Sequence, residues 1–309
     1  MISWINDNIW LKMTVFLIIT LSTVWIINGF KNSVTPTTIE TFQSQPYVLK
    51  QNDDIYDIFY IDHYDTLFET EKYSEEDFST ISSNTVLNND SSILDIGCGT
   101  GSLLNRFRDG GFLAFGVDKS RSMVEQAQEN IGMGEVHCDD VLSNPLLYSK
   151  NSFTHILCTH FTIYEIENKS SFFRHCHSWL KVGGYLGIHM VDVTSYKLIV
   201  PNSEWFSITS DEDVKSTKRI INTKIQKKGY HYTNRYEMDE DKPIMQIETF
   251  TVGSNTRVNE KKLYMVEKSE LIKNALALGF RLHKEIPYSS CVKDSHQYMV
   301  VFQKQFENE

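Results

Sequence analysis

The fold is decided by one short stretch, Ile93-Leu94-Asp95-Ile96-Gly97-Cys98-Gly99-Thr100-Gly101-Ser102-Leu103-Leu104. It begins as an apolar run typical of a buried strand, passes through glycines at alternate positions, and continues with helical character. Glycine tolerates positive φ and carries no Cβ atom, so such a loop lets a ligand come close to the backbone. The first N–H groups of the next helix then point at that ligand. The stretch predicts a strand, a ligand-binding loop and a helix.

The acidic residue before the loop restricts the kind of ligand. Asp95 places a carboxylate at the mouth of the predicted loop. A carboxylate there repels a pyrophosphate and attracts an ammonium group. The sequence therefore favours a ligand with an amino-acid part over a dinucleotide.

The order of acid and glycines in Asp95-Ile96-Gly97-Cys98-Gly99-Thr100-Gly101 resembles motif I of the class I S-adenosylmethionine-dependent methyltransferases. The resemblance covers about residues 55–305. It implies an α/β fold with a Rossmann-like, mainly parallel sheet of seven strands whose last strand is reversed. It also implies S-adenosylmethionine as the cofactor, and an enzyme that transfers its methyl group.

The cofactor-binding residues are predicted at the ends of successive strands. Asp118 ends the strand predicted over residues 112–118, where an acid can accept both hydroxyls of a ribose. By resemblance, Asp140 binds the adenine amino group, and Asp139 is the alternative because a one-residue slip exchanges them. Tyr60 and Tyr64 either close over the cofactor or complete the core. The predicted set is Tyr64, Asp95, Gly97, Cys98, Gly99, Gly101, Asp118, Lys119, Asp139, Asp140, Val141 and Cys158.

The candidates for catalysis are a pair of residues, His160 and Tyr164, that follow the predicted strand 153–158. His160 and Tyr164 lie where members of the resembling family place the substrate beside the methyl group. His160 can act as a base near neutral pH. The alternative is that His160 hydrogen-bonds locally or stacks beside the adenine.

Composition excludes several other classes of function. The formal net charge of −10 argues against a nucleic-acid substrate, because such a protein must neutralise several phosphates. The five cysteines include no Cys-x-x-Cys pair and are predicted to be reduced. Neighbours in the run His175-Cys176-His177 point to different faces of a helix. No metal site is therefore predicted.

The amino end predicts a membrane anchor over residues 1–31. Residues 10–30 are almost continuously apolar, and at about 1.5 Å per residue they just cross a bilayer. The bulky Trp25-Ile26-Ile27 lacks the small residues of a signal-peptide cleavage site. The cofactor and the unpaired cysteines favour a single-pass protein whose catalytic domain faces the cytosol. Residues 32–51, with Pro36 and Pro46, read as a tether.

Residues 52–309 form the predicted methyltransferase domain. Alternating apolar and polar residues within about 193–267 predict an antiparallel β insertion that caps the substrate end of the sheet. The acceptor is expected to be a small or lipid-like molecule, and its methylated atom can be oxygen, nitrogen or carbon. A scaffold or sensor at a membrane that binds the cofactor without turnover is the alternative, and an NAD(P)-dependent enzyme is a weaker third. The sequence leaves the oligomeric state open.

Overall fold

The computed structural model describes residues 47–131, 135–196, 222–227, 229–288 and 296–305. The predicted anchor and residues 32–46 of the predicted tether lie outside these residues. Within the described ranges, no helix combines the length and the apolar character needed to cross a membrane.

Seven strands form the main sheet: β2 (Ser92–Ile96), β3 (Leu113–Asp118), β4 (Val136–Cys138), β5 (Phe153–Cys158), β6 (Leu180–Val191), β11 (Phe280–Pro287) and β12 (Gln297–Lys304). Their spatial order is β11-β12-β6-β5-β2-β3-β4. The five strands from β6 to β4 run parallel, and β12 runs antiparallel to both of its neighbours. The predicted Rossmann-like sheet with a reversed last strand is confirmed.

The central strands are buried on both faces. Ile93 and Leu157 pack on one side of the sheet, and Leu94, Ile96 and Ile156 pack on the other. Successive strand residues point to opposite faces, so a strand covered on both sides is apolar throughout. This is why the sequence before the glycine loop reads as an unbroken apolar run.

Helices connect these strands: α1 (Ile58–Phe68), α2 (Thr70–Asn84), α3 (Ser102–Asp109), α4 (Arg121–Ile131), α5 (Thr162–Glu165), α6 (Lys169–Trp179) and α7 (Lys268–Ala277). Side chains cap three of them. Asp57 accepts from the Tyr60 N–H at the start of α1, and Ser120 accepts from the Met123 N–H at the start of α4. Asn168 caps α6 in the same way. Each cap satisfies a backbone donor that the first turn leaves unpaired.

A second sheet, here called the cap sheet, contains β1 (Tyr47–Gln51), β7 (Asn222–Lys227), β8 (Tyr230–Asp239), β9 (Lys242–Val252) and β10 (Asn255–Lys262). Strands β7 to β10 form an antiparallel meander, and β1 pairs parallel with β10 at the edge. The tether prediction is wrong for residues 47–51. Those five residues pair with a strand about 200 positions away, so no local pattern revealed them.

Arg257 on β10 fixes the cap sheet to the start of α1. Its side chain is 1% exposed. Nη1 donates to both carboxylate oxygens of Asp57 at 2.8 Å, Nη2 donates to the Ile55 carbonyl at 2.8 Å, and Nε donates to Asn259 at 2.8 Å. A buried guanidinium is tolerated when its donors and its charge are satisfied in this way. The ion pair therefore holds together segments that are far apart in the chain.

Arg257→Met should destabilise the protein by about 3 kcal/mol, because it removes one of the two hydrogen bonds to the Ile55 carbonyl and the main ion-pair partner of Asp57. Urea unfolding followed by circular dichroism measures this change. Arg281→Met is the matched control on the exposed surface of β11 and should change stability by less than about 0.5 kcal/mol. Equal effects of the two substitutions would contradict a structural role for Arg257.

Candidate active site

The glycine loop after β2 has the conformation that its sequence predicts. Gly97 has φ of +71° and Gly99 has φ of +54°, in the left-handed region that favours glycine. A Cβ atom on Gly97 would lie 2.5 Å from Cγ2 of Thr162, so packing requires glycine there. A Cβ atom on Gly99 would meet only the Tyr64 ring, at 3.7 Å. Gly99 is thus the position where a missing side chain opens the backbone to a ligand.

A cavity of about 800 Å³, here called the loop cavity, lies beside this loop at the carboxyl ends of the parallel strands. Ligands of open α/β sheets bind at this edge. Much of the predicted set lines the cavity: Tyr64, Gly97, Gly99, Asp118, Lys119, Asp139 and Val141. Tyr60, by contrast, is fully buried and lines none of the cavities described here, so it completes the core.

Asp118 lies at the tip of β3 with its carboxylate held by two backbone donors. Oδ2 accepts from the Gly99 N–H at 3.0 Å, and Oδ1 accepts from the Ser120 N–H at 2.9 Å. Each carboxylate oxygen can accept a second hydrogen bond. Burial raises the pKa of Asp118 to about 6. The carboxylate is therefore oriented to accept a pair of hydroxyl groups.

Asp95 is a buried carboxylate with an unsatisfied oxygen. Asp95 is 3% exposed, and within the described ranges its Oδ1 has no hydrogen-bond partner. Burial and the nearby carboxylates of Asp77 and Asp118 raise its pKa well above the usual value. Asp95 lines a smaller cavity of about 330 Å³ that shares Gly97 and Gly99 with the loop cavity. A buried, unpaired carboxylate fits a ligand that brings a positive charge.

The two acids after β4 differ in their placement. Asp139 lines the loop cavity, while Asp140 does not. Oδ1 of Asp140 accepts from the Leu142 N–H at 2.9 Å, and its Oδ2 lies 3.8 Å from Nζ of Lys119. β4 ends at Cys138, so Asp139 is the first residue past the strand. The structure favours the alternative, Asp139, over the predicted Asp140.

Two further predicted cofactor residues do not reach a cavity. Cys158 is fully buried in the main core cluster, because its side chain points to a covered face of β5. Gly101 packs instead against α4, where a Cβ atom would lie 3.2 Å from that of Ala127. Cys98 lines only the smaller cavity beside Asp95. Neither Cys158 nor Gly101 lines the cavities described here, so their predicted contact with the cofactor stays a prediction without support from the cavity lining.

A second cavity of about 690 Å³, here called the cap cavity, lies between the strand ends and the cap sheet. Aromatic rings form most of its wall: Tyr64, Phe68, Tyr73, Phe161, Tyr164, Tyr196 and Tyr236. Tyr64, His160 and Glu165 line this cavity and the loop cavity as well. These three residues mark the junction where a group could pass from one cavity to the other.

His160 reaches the junction through an unusual backbone turn after β5. His160 and Phe161 have φ of +48° and +65°, a conformation that costs energy in residues other than glycine and is concentrated at functional sites. The imidazole Nε2 lies 4.0 Å from Oδ2 of Asp77. Burial lowers the pKa of His160 to about 4 and raises that of Asp77 to about 7. The imidazole is consequently neutral at neutral pH and a weak base.

Tyr164 and its neighbour Glu165 make different contacts at the junction. The Tyr164 hydroxyl accepts from the Val191 N–H at 2.9 Å, so it supports β6 and contributes only its ring to the cavity wall. Glu165 places a carboxylate at the junction. It accepts from the Tyr56 hydroxyl at 2.8 and 2.9 Å and lies 3.0 Å from Nζ of Lys261. Lys261 comes from the cap sheet, and no local pattern links it to this site.

Comparisons with known proteins agree with this geometry. Residues 93–184 match a protein family described as a methyltransferase domain. No curated protein matches the sequence.

Solved structures share the fold at low sequence identity. An S-adenosylmethionine-dependent methyltransferase from Clostridium acetobutylicum ATCC 824 is 15% identical, with a TM-score of 0.59 over 80% of this chain and 98% of that one. The sugar N-methyltransferase KedS8 from Streptoalloteichus sp ATCC 53650 is 16% identical, with a TM-score of 0.52 over 81% and 93%. CalS10, a SAM-bound amino pentose methyltransferase from Micromonospora echinaspora, is 13% identical, with a TM-score of 0.51 over 81% and 97%.

The domain match, the fold and the site agree with one another. Asp95 lines the smaller cavity, Asp118 lines the loop cavity, and Gly99 lines both, so two acids flank an open backbone, as a cofactor with ammonium and ribose groups requires. The chain is therefore an enzyme with a class I methyltransferase fold, and its cofactor is S-adenosylmethionine.

Proposed function

We propose that this enzyme methylates a nitrogen atom of a small polar amine held in the cap cavity. The observation that carries the proposal is the sharing of Tyr64, His160 and Glu165 between the loop cavity and the cap cavity. A transfer reaction needs its two reactants in contact at one boundary, and holding them there supplies much of the rate.

The loop cavity and the smaller cavity beside it suit the three parts of the cofactor. The unpaired Asp95 carboxylate attracts the ammonium group, the Asp118 carboxylate accepts the ribose hydroxyls, and Asp139 and Val141 lie at the adenine end. Bound S-adenosylmethionine supplies a methyl group already activated by its sulfonium. The protein residues then have to bind, orient and exclude water.

Glu165 supports an amine as the acceptor. Its carboxylate attracts a protonated amine to the junction, and the nitrogen must lose a proton so that its lone pair is available. Glu165 and the neutral His160 are the two described groups at the junction that can accept that proton. The similar folds of KedS8, a sugar N-methyltransferase, and CalS10, an amino pentose methyltransferase, support the same class of acceptor.

The apolar amino end supports a further proposal about location. Residues 10–30 have the length and composition of a transmembrane anchor, with the catalytic domain on the cytosolic side. Tethering raises the effective concentration of an enzyme at a surface. A lipid-like acceptor is therefore the second candidate.

Asp118→Asn should weaken S-adenosylmethionine binding ten- to a hundredfold, because it removes charge-assisted hydrogen bonds worth about 1.5–3 kcal/mol. Calorimetric titration measures the affinity. The pKa of Asp118 is about 6, and only the ionised carboxylate can accept hydrogen bonds from both ribose hydroxyls. The affinity of the natural protein for S-adenosylmethionine should therefore fall as the pH drops below about 6. That fall should be smaller in the variant.

Asp109→Asn at the exposed end of α3 is the matched control and should leave the affinity unchanged. A loss below threefold in Asp118→Asn would show that Asp118 does not hold the ribose.

Glu165→Gln should lower kcat/KM for an amine acceptor by about a hundredfold, because the amide neither attracts the ammonium nor takes its proton. The amide oxygen can still accept from Tyr56, so cofactor affinity should stay within about threefold. Steady-state methyl transfer and calorimetry give the two numbers.

Glu167→Gln, two residues further along on the surface, is the control and should behave as the natural enzyme. Unchanged turnover in Glu165→Gln would remove Glu165 from the reaction. A collapse of cofactor binding would instead make it a cofactor ligand.

The full-length chain should remain with membranes after a carbonate wash, because residues 10–30 are long enough to cross a bilayer. A chain beginning at Thr41 retains every described strand and should be soluble and still bind S-adenosylmethionine. A full-length chain that is washed off, or that is cleaved after Gly29, would contradict the anchor.

A further inference from the structure

The inner face of the cap sheet is unusually polar. Directly paired residues of β8, β9 and β10 form three rows across this face. All nine members are at most 9% exposed, although a buried sheet face is normally apolar. The rows are Tyr232-Phe250-Arg257, Asn234-Glu248-Asn259 and Tyr236-Gln246-Lys261.

The first two rows hold a polar network that supports the fold. Arg257 makes the bonds to Asp57, Ile55 and Asn259 described above. Glu248 accepts from the Tyr232 hydroxyl at 2.6 Å and from the Asn259 amide at 3.4 Å. Satisfied groups of this kind order a polar interior. Their polarity is accounted for by the structure itself.

The third row differs because it forms the floor of the cap cavity. Tyr236, Gln246 and Lys261 all line that cavity, and Lys261 reaches the junction through its ion pair with Glu165. Gln246 is 4% exposed. Within the described ranges, its side-chain Nε2 has no hydrogen-bond partner. A buried amide without a partner costs stability unless a ligand supplies the missing bond.

We propose that the Gln246 side chain determines acceptor specificity by hydrogen-bonding an oxygen that the amine carries elsewhere in its structure. This proposal rests on the proposed function and narrows it to a class, the small amino alcohols. Gln246 and Lys261 lie on neighbouring strands, about 5 Å apart. Because Lys261 pairs with Glu165, the bound oxygen and the nitrogen at Glu165 lie in the same cavity, and the aromatic walls pack against the acceptor between them.

Gln246→Met tests the unpaired amide without any turnover. Methionine has a similar length and no polar group, so the ligand-free variant should melt about 2–4 °C higher than the natural protein. Gln297→Met is the matched control, because Gln297 is 3% exposed but its Oε1 lies 3.1 Å from Nε2 of His189. The control should melt lower. A lower melting temperature for Gln246→Met would make Gln246 a structural residue and overturn the proposal.

Two matched amines test the specificity: 4-aminocyclohexanol, which has a hydroxyl across the ring, and cyclohexylamine, which lacks it. The natural enzyme should have at least a tenfold higher kcat/KM for 4-aminocyclohexanol, and Gln246→Met should abolish that preference. Equal rates on both amines, or a preference that survives in the variant, would overturn the role of Gln246 alone. Methylation of neither amine would instead contradict the nitrogen acceptor of the proposed function.

Discussion

The hydrogen bonds between the glycine loop and the end of β3 are the constraint on which the site depends. The N–H groups of Gly97 and Cys98 both donate to the Val117 carbonyl, at 2.8 and 3.2 Å, and the Gly99 N–H donates to Asp118. These bonds need left-handed backbone angles, which glycine adopts without strain. They bring the loop and the strand-end acid to one edge of the sheet, so a single ligand can contact both.

A second constraint divides the site into its two halves. The left-handed turn at His160 and Phe161 carries the chain from β5 directly into α5, and this places His160 and Glu165 between the two cavities. The cap sheet closes the far side and contributes Lys261 to the same junction. The cofactor half is therefore built from the main sheet, while the acceptor half depends on contacts between the two sheets.

This division explains how much of the molecule the sequence could predict. The parallel strands follow from unbroken apolar runs, and Asp95, Gly99 and Asp118 lie within one local motif or at the end of one strand. The choice between Asp139 and Asp140 needed the end of β4 and the lining of the loop cavity, which the sequence does not give. Glu165 lies one residue beyond the predicted Tyr164. Its ion pair at the junction involves Lys261, 96 positions away, so no local pattern indicates it. β1 and the polar floor of the cap likewise arise from pairings that no local pattern contains.

A crystal structure with S-adenosylhomocysteine bound tests the central claim most directly. We expect the ribose hydroxyls to bind Asp118, the amino group to face Asp95, and the sulfur to lie at the junction of Tyr64, His160 and Glu165, open to the cap cavity. A ligand whose sulfur faces away from that junction, or whose amino group lies far from Asp95, would contradict the account.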